Sequence, residues 1–145
     1  MLERVFLVDT LPPWHMPQIS RLVKTPELHL GDQRAVAPGR TRVARQPLTI
    51  SLRFQELRRQ ASGQPEPIRH YHFFHRDDHK VDIVLEQGES LAGVEVKASG
   101  TVRTEYFQGL RKLQEIAGDR FACGAVLYDG EVSVFYGPRL CALPI

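Results

Sequence analysis

Asp82 and, further along, Glu95, Val96 and Lys97 have the types and spacing to do chemistry together. Lys80 to Glu86 alternates as a strand does, with Val81, Ile83 and Leu85 on one side and Asp82, Val84 and Glu86 on the other. Leu91 to Ala98 alternates likewise, setting Val94 and Val96 opposite Glu95 and Lys97. Gln87 to Ser90 reads as a turn around Gly88. If Gly88-Glu89 is a two-residue turn, Gln87 faces Ser90, Glu86 faces Leu91 and Asp82 faces Glu95. Directly opposed side chains have Cβ atoms ~4.5–5.5 Å apart, and two carboxylates so placed repel. A hard divalent cation, Mg²⁺ or Mn²⁺, is the natural compensation, held by Asp82 and Glu95 with the Val96 carbonyl as a further ligand. Lys97 projects from the same strand face as Glu95. It can orient an attacking water or help deprotonate it, while the cation shields phosphoryl charge during in-line attack. Phosphodiester hydrolysis has these requirements.

Several elements must position this set. Ile68 to Phe74 reads as a strand and His75 to His79 as a polar turn. Upstream, Leu48, Ile50, Leu52 and Phe54 alternate, yet Ile50, Phe54 and Leu57 share a helical face. The composition favours a helix from Leu48 to Gln60 that ends before Ser62-Gly63. Downstream, Thr104 to Ala117 carries Phe107, Leu110, Leu113 and Ala117 on one helical face. Thr101 or Thr104 is expected to cap it, with Gly118 after its end. Phe121 to Tyr128 reads as an apolar strand. Asp129-Gly130 is a hairpin signal, with Glu131 to Tyr136 returning. The step from Leu91 to Tyr128 is expected to be a right-handed parallel crossover. The order is thus α-β-β-β-α-β, an α/β fold with a mixed central sheet. Nearer the start, the VFLV run within Arg4 to Leu11 reads as a strand or helix end, stopped by Pro12-Pro13. Gly31 to Pro47 reads as a long loop.

Hydrophobic residues make up 42% of the chain and charged residues 25%, proportions that suit one soluble domain with a single core. No apolar run approaches the ~20 residues of a membrane span, and no signal peptide is apparent, so a cytoplasmic location away from membranes is expected. Cys123 and Cys141 form no metal-type pair and read as reduced thiols in strands, with Cys123 in the core. Between Arg21 and Arg59 stand Arg21, Lys24, Arg34, Arg40, Arg42, Arg45, Arg53, Arg58 and Arg59 against only Glu27, Asp32 and Glu56. Such asymmetry points to a polyanionic partner, of which nucleic acid is the obvious class, or to a solvated basic segment. His70 and His72 share a strand face near Asp77, Asp78, His75 and His79, which permits a transition-metal site but reads more simply as a strand and its polar turn. Tyr106 and Phe107 could stack bases, although packing from the helix face is the simpler role.

The stretches LPPWHMPQISRLVKTPELHLGD, ELRRQASGQPEPIRHYHF, KVDIVLEQG, LAGVEVKAS, LRKLQEIAGDRFACGAVLYDG and RLCALPI follow one another along nearly the whole chain. In that order they resemble the C-terminal region found behind the motor module of a family of bacterial and archaeal AAA-type ATPases. That region is similar to PD-(D/E)XK nucleases. The resemblance implies a restriction-endonuclease-like fold over residues 48–145, preceded by an N-terminal extension and loop over residues 1–47. It carries Asp82, Glu95 and Lys97 onto the nuclease positions and implies action on nucleic acid. The family's first helix bears a glutamate near its start, where this chain has Ile50; Glu56 matches an E-L pair further along and is the remaining candidate to reach the site. No G-x-x-x-x-G-K-[ST] loop is present, so ATP binding is not expected of this chain. The other expectation is a catalytically inactive module that keeps the fold and forms a homodimer or binds a protein partner.

Overall fold

The computed structural model describes residues 8–14, 27–30, 53 and 55–145. The expected loop from Gly31 to Pro47, most of the basic segment and Ile50 lie outside these residues. Among the described residues, no helix is long and apolar enough to cross a membrane.

The fold is mixed α/β, built on a six-stranded mixed sheet. A short helix, α1, covers residues 55–61. The meander β3 (Arg69–Phe74), β4 (Lys80–Gln87) and β5 (Ser90–Lys97) follows, each strand antiparallel to the last. A 3-10 turn (Thr104–Phe107) leads into α2 (Gln108–Ala117), and the chain returns as β6 (Phe121–Tyr128), parallel to β5. A separate pair, β1 (Val8–Leu11) and β2 (Glu27–Leu30), precedes all of this. The second of these strands was not anticipated from the sequence, although Glu27-Leu28-His29-Leu30 alternates polar and apolar residues.

The sheet parts two cores. On one side, α2 buries Leu110, Leu113 and Ala117, with Phe107 from the 3-10 turn, against Val81, Val84, Leu91, Phe121 and Val126. This is the helical face expected from the sequence. On the other side, Leu11, Ile83, Val94 and Val96 cluster, with Leu57 of α1 and Leu127 packed on them. The residues after β1 are stitched to the sheet edge: the Trp14 N–H donates to the His72 carbonyl at 2.7 Å, and the His72 N–H donates to the Pro12 carbonyl at 3.0 Å.

Four expectations need correction. Val81 does not share a face with Ile83 and Leu85. Tyr71 pairs with Val84 but Phe73 with Val81, so His72 stands across from both Asp82 and Ile83, and this bulge rotates Val81 into the α2 core. Neither threonine caps the helix; Arg103 precedes the 3-10 turn, and no side-chain cap bond forms. Asp129-Gly130 does not make a hairpin, because the free side of β6 is taken by β8 (Leu140–Pro144) running parallel to it. The returning segment forms only the two-residue β7 (Val134–Phe135) on the outer side of β8. Cys123, finally, is exposed rather than in the core, while Cys141 is partly buried and both are free thiols. Burial, and then the neighbouring Cys123, push the Cys141 thiol up.

The tightest contact between layers is at the start of α2. A Cβ built on Gly109 would lie 1.7 Å from the Lys80 carbonyl oxygen, so only glycine lets the helix sit directly on the backbone of β4. Gly109→Ala is therefore expected to lower stability by about 1–3 kcal/mol in urea unfolding. Gly63→Ala, whose nearest contact would be an ordinary 3.8 Å, is expected to stay within about 0.5 kcal/mol of wild type. Equal midpoints for the two variants would contradict this packing.

Candidate metal-binding and hydrolytic site

The β4–β5 hairpin places the site. Its register is the one a Gly88-Glu89 turn dictates: Gln87 pairs with Ser90, Glu86 with Leu91 and Ile83 with Val94. Gly88 takes a left-handed φ of 58° in that turn. Asp82 and Glu95 come next in line, and there the acids replace the backbone ladder. The Asp82 N–H donates to Glu95 Oε2 at 3.1 Å, and the Val96 N–H donates to Asp82 Oδ2 at 2.8 Å. Each carboxylate thus satisfies a buried peptide donor on the opposite strand.

Both acids are buried, Asp82 at 5% and Glu95 at 4% exposure. Lys97, on the same strand face as Glu95, donates from Nζ to Glu95 Oε1 at 2.6 Å. Lys80 is more distant, 3.9 Å from Asp82 Oδ1. Burial, then the charge of Asp82, push the Glu95 carboxyl up to about 7 despite the opposing pull of Lys97. Burial works against the Lys97 charge, but the Glu95 carboxylate outweighs it and holds the ammonium above the ordinary lysine range.

Glu95 and Lys97 open into a cavity of about 140 Å³. Its other walls are Asp78, His79 and Lys80 from the β3–β4 turn and the start of β4, Glu105 and Tyr106 from the 3-10 turn, and Gln108 and Gly109 of α2. Asp78 reaches the mouth from a left-handed backbone position, φ 63°. Tyr106 presents its ring to Lys97, with Nζ 5.4 Å from the ring centroid. Sequence reasoning had singled out Tyr106 only as a stacking or packing residue. Phe107 beside it is fully buried, stacked on Tyr136 at 4.4 Å.

The structure therefore brings Asp82, Glu95, Val96 and Lys97 together. Glu56 is not joined to them: its carboxylate bonds Arg59 and Gln60 of its own helix. The histidines do not assemble into a centre either. Among the described residues, no three or more His, Cys, Asp and Glu side chains converge on one point. A larger cleft of about 390 Å³, lined by Arg58, Pro65, Pro67, Ile68 and His70 among others, lies between the end of α1 and β3 and carries no acidic side chain. Burial, then the charge of Arg58, keep His70 below the usual histidine range.

The Asp82 and Glu95 oxygens are hard donors, with Lys97 and, at longer range, Lys80 as their neighbouring cations. Such donors suit a small divalent cation, which binds through one or two carboxylates and keeps several waters.

Fold and site together define a mixed α/β domain with a buried carboxylate pair and a lysine at the end of a central hairpin. The chain belongs to the family described as a domain of unknown function (DUF4143), whose model matches residues 51–145. This family is commonly found as the C-terminal region of AAA-ATPase-like proteins. No curated protein and no solved structure matches the chain.

The raised Glu95 pKa sets a pH dependence. Folded Glu95 keeps its proton up to about pH 7, whereas the unfolded chain releases it near 4.5. Between those values the folded state binds more protons, so its stability falls as pH rises and then levels off. Without added metal, urea unfolding is expected to show this decline in wild type and to lose it in Glu95→Gln. Parallel pH profiles for the two proteins would contradict the assignment.

Proposed function

We propose that this domain binds nucleic acid and hydrolyses its phosphodiester bonds with the help of Mg²⁺ or Mn²⁺. One observation carries the proposal: Asp82 and Glu95 are buried side by side, and the Lys97 ammonium lies 2.6 Å from Glu95. The α-β-β-β-α-β order supports a restriction-endonuclease-like reading of the fold, and the Asp82, Glu95 and Lys97 positions support its PD-(D/E)XK variant.

In this reading Asp82 and Glu95 would hold the cation, with the Val96 carbonyl as a further candidate ligand. When bound, the cation would supply charge compensation at the phosphoryl oxygens during in-line attack by water. Asp82 and Glu95 are held in place by the peptide N–H groups they accept, so they are oriented before any ligand arrives. Lys97 points from the same strand into the cavity, where its ammonium can orient the attacking water and hydrogen-bond the phosphate. His79, Lys80 and Gln108 add donors along the cavity wall. The Arg-rich stretch upstream would supply non-specific phosphate contacts, with affinity that falls as salt rises.

Cleavage of single-stranded, duplex and branched DNA, and of RNA, with Mg²⁺ or Mn²⁺ tests the proposal. Asp82→Ala and Lys97→Ala are each expected to lower the rate at least ~100-fold. Equal cleavage by wild type and both variants would overturn the catalytic assignment.

A second reading, a non-catalytic module that pairs with itself or with a protein partner, draws on a different region. Exposed large apolar side chains, Val134 and Phe135 of β7, Leu143 of β8, and Val132 and Ile145 next to these strands, occur along this stretch, and Phe135 is 87% exposed. Light scattering that shows a dimer in wild type and a monomer in Phe135→Glu, together with no Mn²⁺ binding by calorimetry, would favour it over hydrolysis.

A further inference from the structure

Lys97 has a long, rotamer-rich side chain, and a water-handling role requires its ammonium to stay at one point of the cavity. Glu95 fixes that point from one side, at 2.6 Å. The same carboxylate is also a proposed metal ligand, so a bound cation competes with Lys97 for its oxygens. A lysine anchored by Glu95 alone would loosen when its function begins.

A second anchor is present. The Tyr106 ring lies 5.4 Å from Lys97 Nζ, within the ~6 Å over which an aromatic face attracts a cation. The ring is itself held on both sides in sequence. The Tyr106 N–H donates to the Arg103 carbonyl at 3.0 Å. Phe107 is locked in the core by its stack on Tyr136, and Gly109 is seated on the Lys80 backbone. Tyr106 packs partly on the α2 core and lines the cavity beside Lys97.

We propose that Tyr106 is a positioning residue for Lys97: its ring face holds the ammonium at the cavity when a metal ion competes for the Glu95 oxygens. The proposal rests on the hydrolytic reading of this site. The ring acts through Lys97 and needs no contact with substrate. Its charge-free attraction leaves the lysine protons available to water and phosphate, which a second carboxylate would not.

Two readouts test it, one independent of activity. In ¹H–¹³C spectra, a Lys97 side chain over the ring has upfield-shifted ε-methylene protons. Wild type and Tyr106→Phe are expected to keep that shift, with and without Mg²⁺, and Tyr106→Leu to lose it. In cleavage assays, Tyr106→Leu is expected to lower kcat about tenfold with little change in KM, and Tyr106→Phe to restore it. In a Lys97→Ala background, Tyr106→Leu should add no further loss. Should Tyr106→Leu fail to fold, pentafluorophenylalanine at position 106 replaces it, since it keeps the ring's shape and reverses its charge pattern, and the same losses are expected.

Retention of the methylene shift in Tyr106→Leu, or equal loss of kcat with and without Lys97, would overturn the role. If wild type cleaves nothing, the hydrolytic reading fails, and the shift and its response to Mg²⁺ still decide whether Tyr106 holds the lysine.

Discussion

Two carboxylates are buried where the β4–β5 ladder stops, and each completes the hydrogen bonding of the other's strand. Asp82 accepts from the Val96 N–H and Glu95 from the Asp82 N–H. Moving either acid would strand a buried peptide donor, a cost on the order of 1–3 kcal/mol. Keeping both puts like charges together in a dry place. Part of that repulsion is met by Lys97, and part by a Glu95 carboxyl pushed up to about 7. The hairpin is thus tied together by the bond each acid accepts from the opposite strand.

The surrounding elements act on this point from several directions. The parallel neighbour β6 pairs with β5 through Lys97 and fixes the strand that carries Glu95 and Lys97. The 3-10 turn and α2 close the cavity over Lys97, and Gly109 sets how near they approach. Opposite them, α1 packs Leu57 behind the sheet, while Glu56 bonds within its own helix. The site is therefore built from β4, β5 and the lead-in to α2. Ile50, where the resemblance implied a glutamate, lies outside the described residues.

Much of this was legible because the signals were local. The Gly88-Glu89 turn set the hairpin register, and the 3.6-residue period found Phe107, Leu110, Leu113 and Ala117. The misses have non-local causes. An extra residue across from His72 is invisible to a period-2 pattern, so Val81 was placed on the wrong face. Asp129-Gly130 has the composition of a hairpin turn, but pairing on β6 was decided by Leu140–Pro144, farther along the chain. The exposure of Cys123 follows from what covers β6, which its own strand does not encode. Tyr106 and Phe107 are adjacent aromatics, and spacing alone did not tell which one enters the core and which one meets Lys97.

The central claim is that Asp82 and Glu95 share one divalent cation. Anomalous diffraction from crystals grown with Mn²⁺ tests it most directly. The account predicts one ordered Mn²⁺ with an oxygen of each carboxylate as a ligand, absent in crystals of Asp82→Ala. Crystals in which both carboxylates keep only their protein partners while Mn²⁺ is absent or bound elsewhere would contradict it.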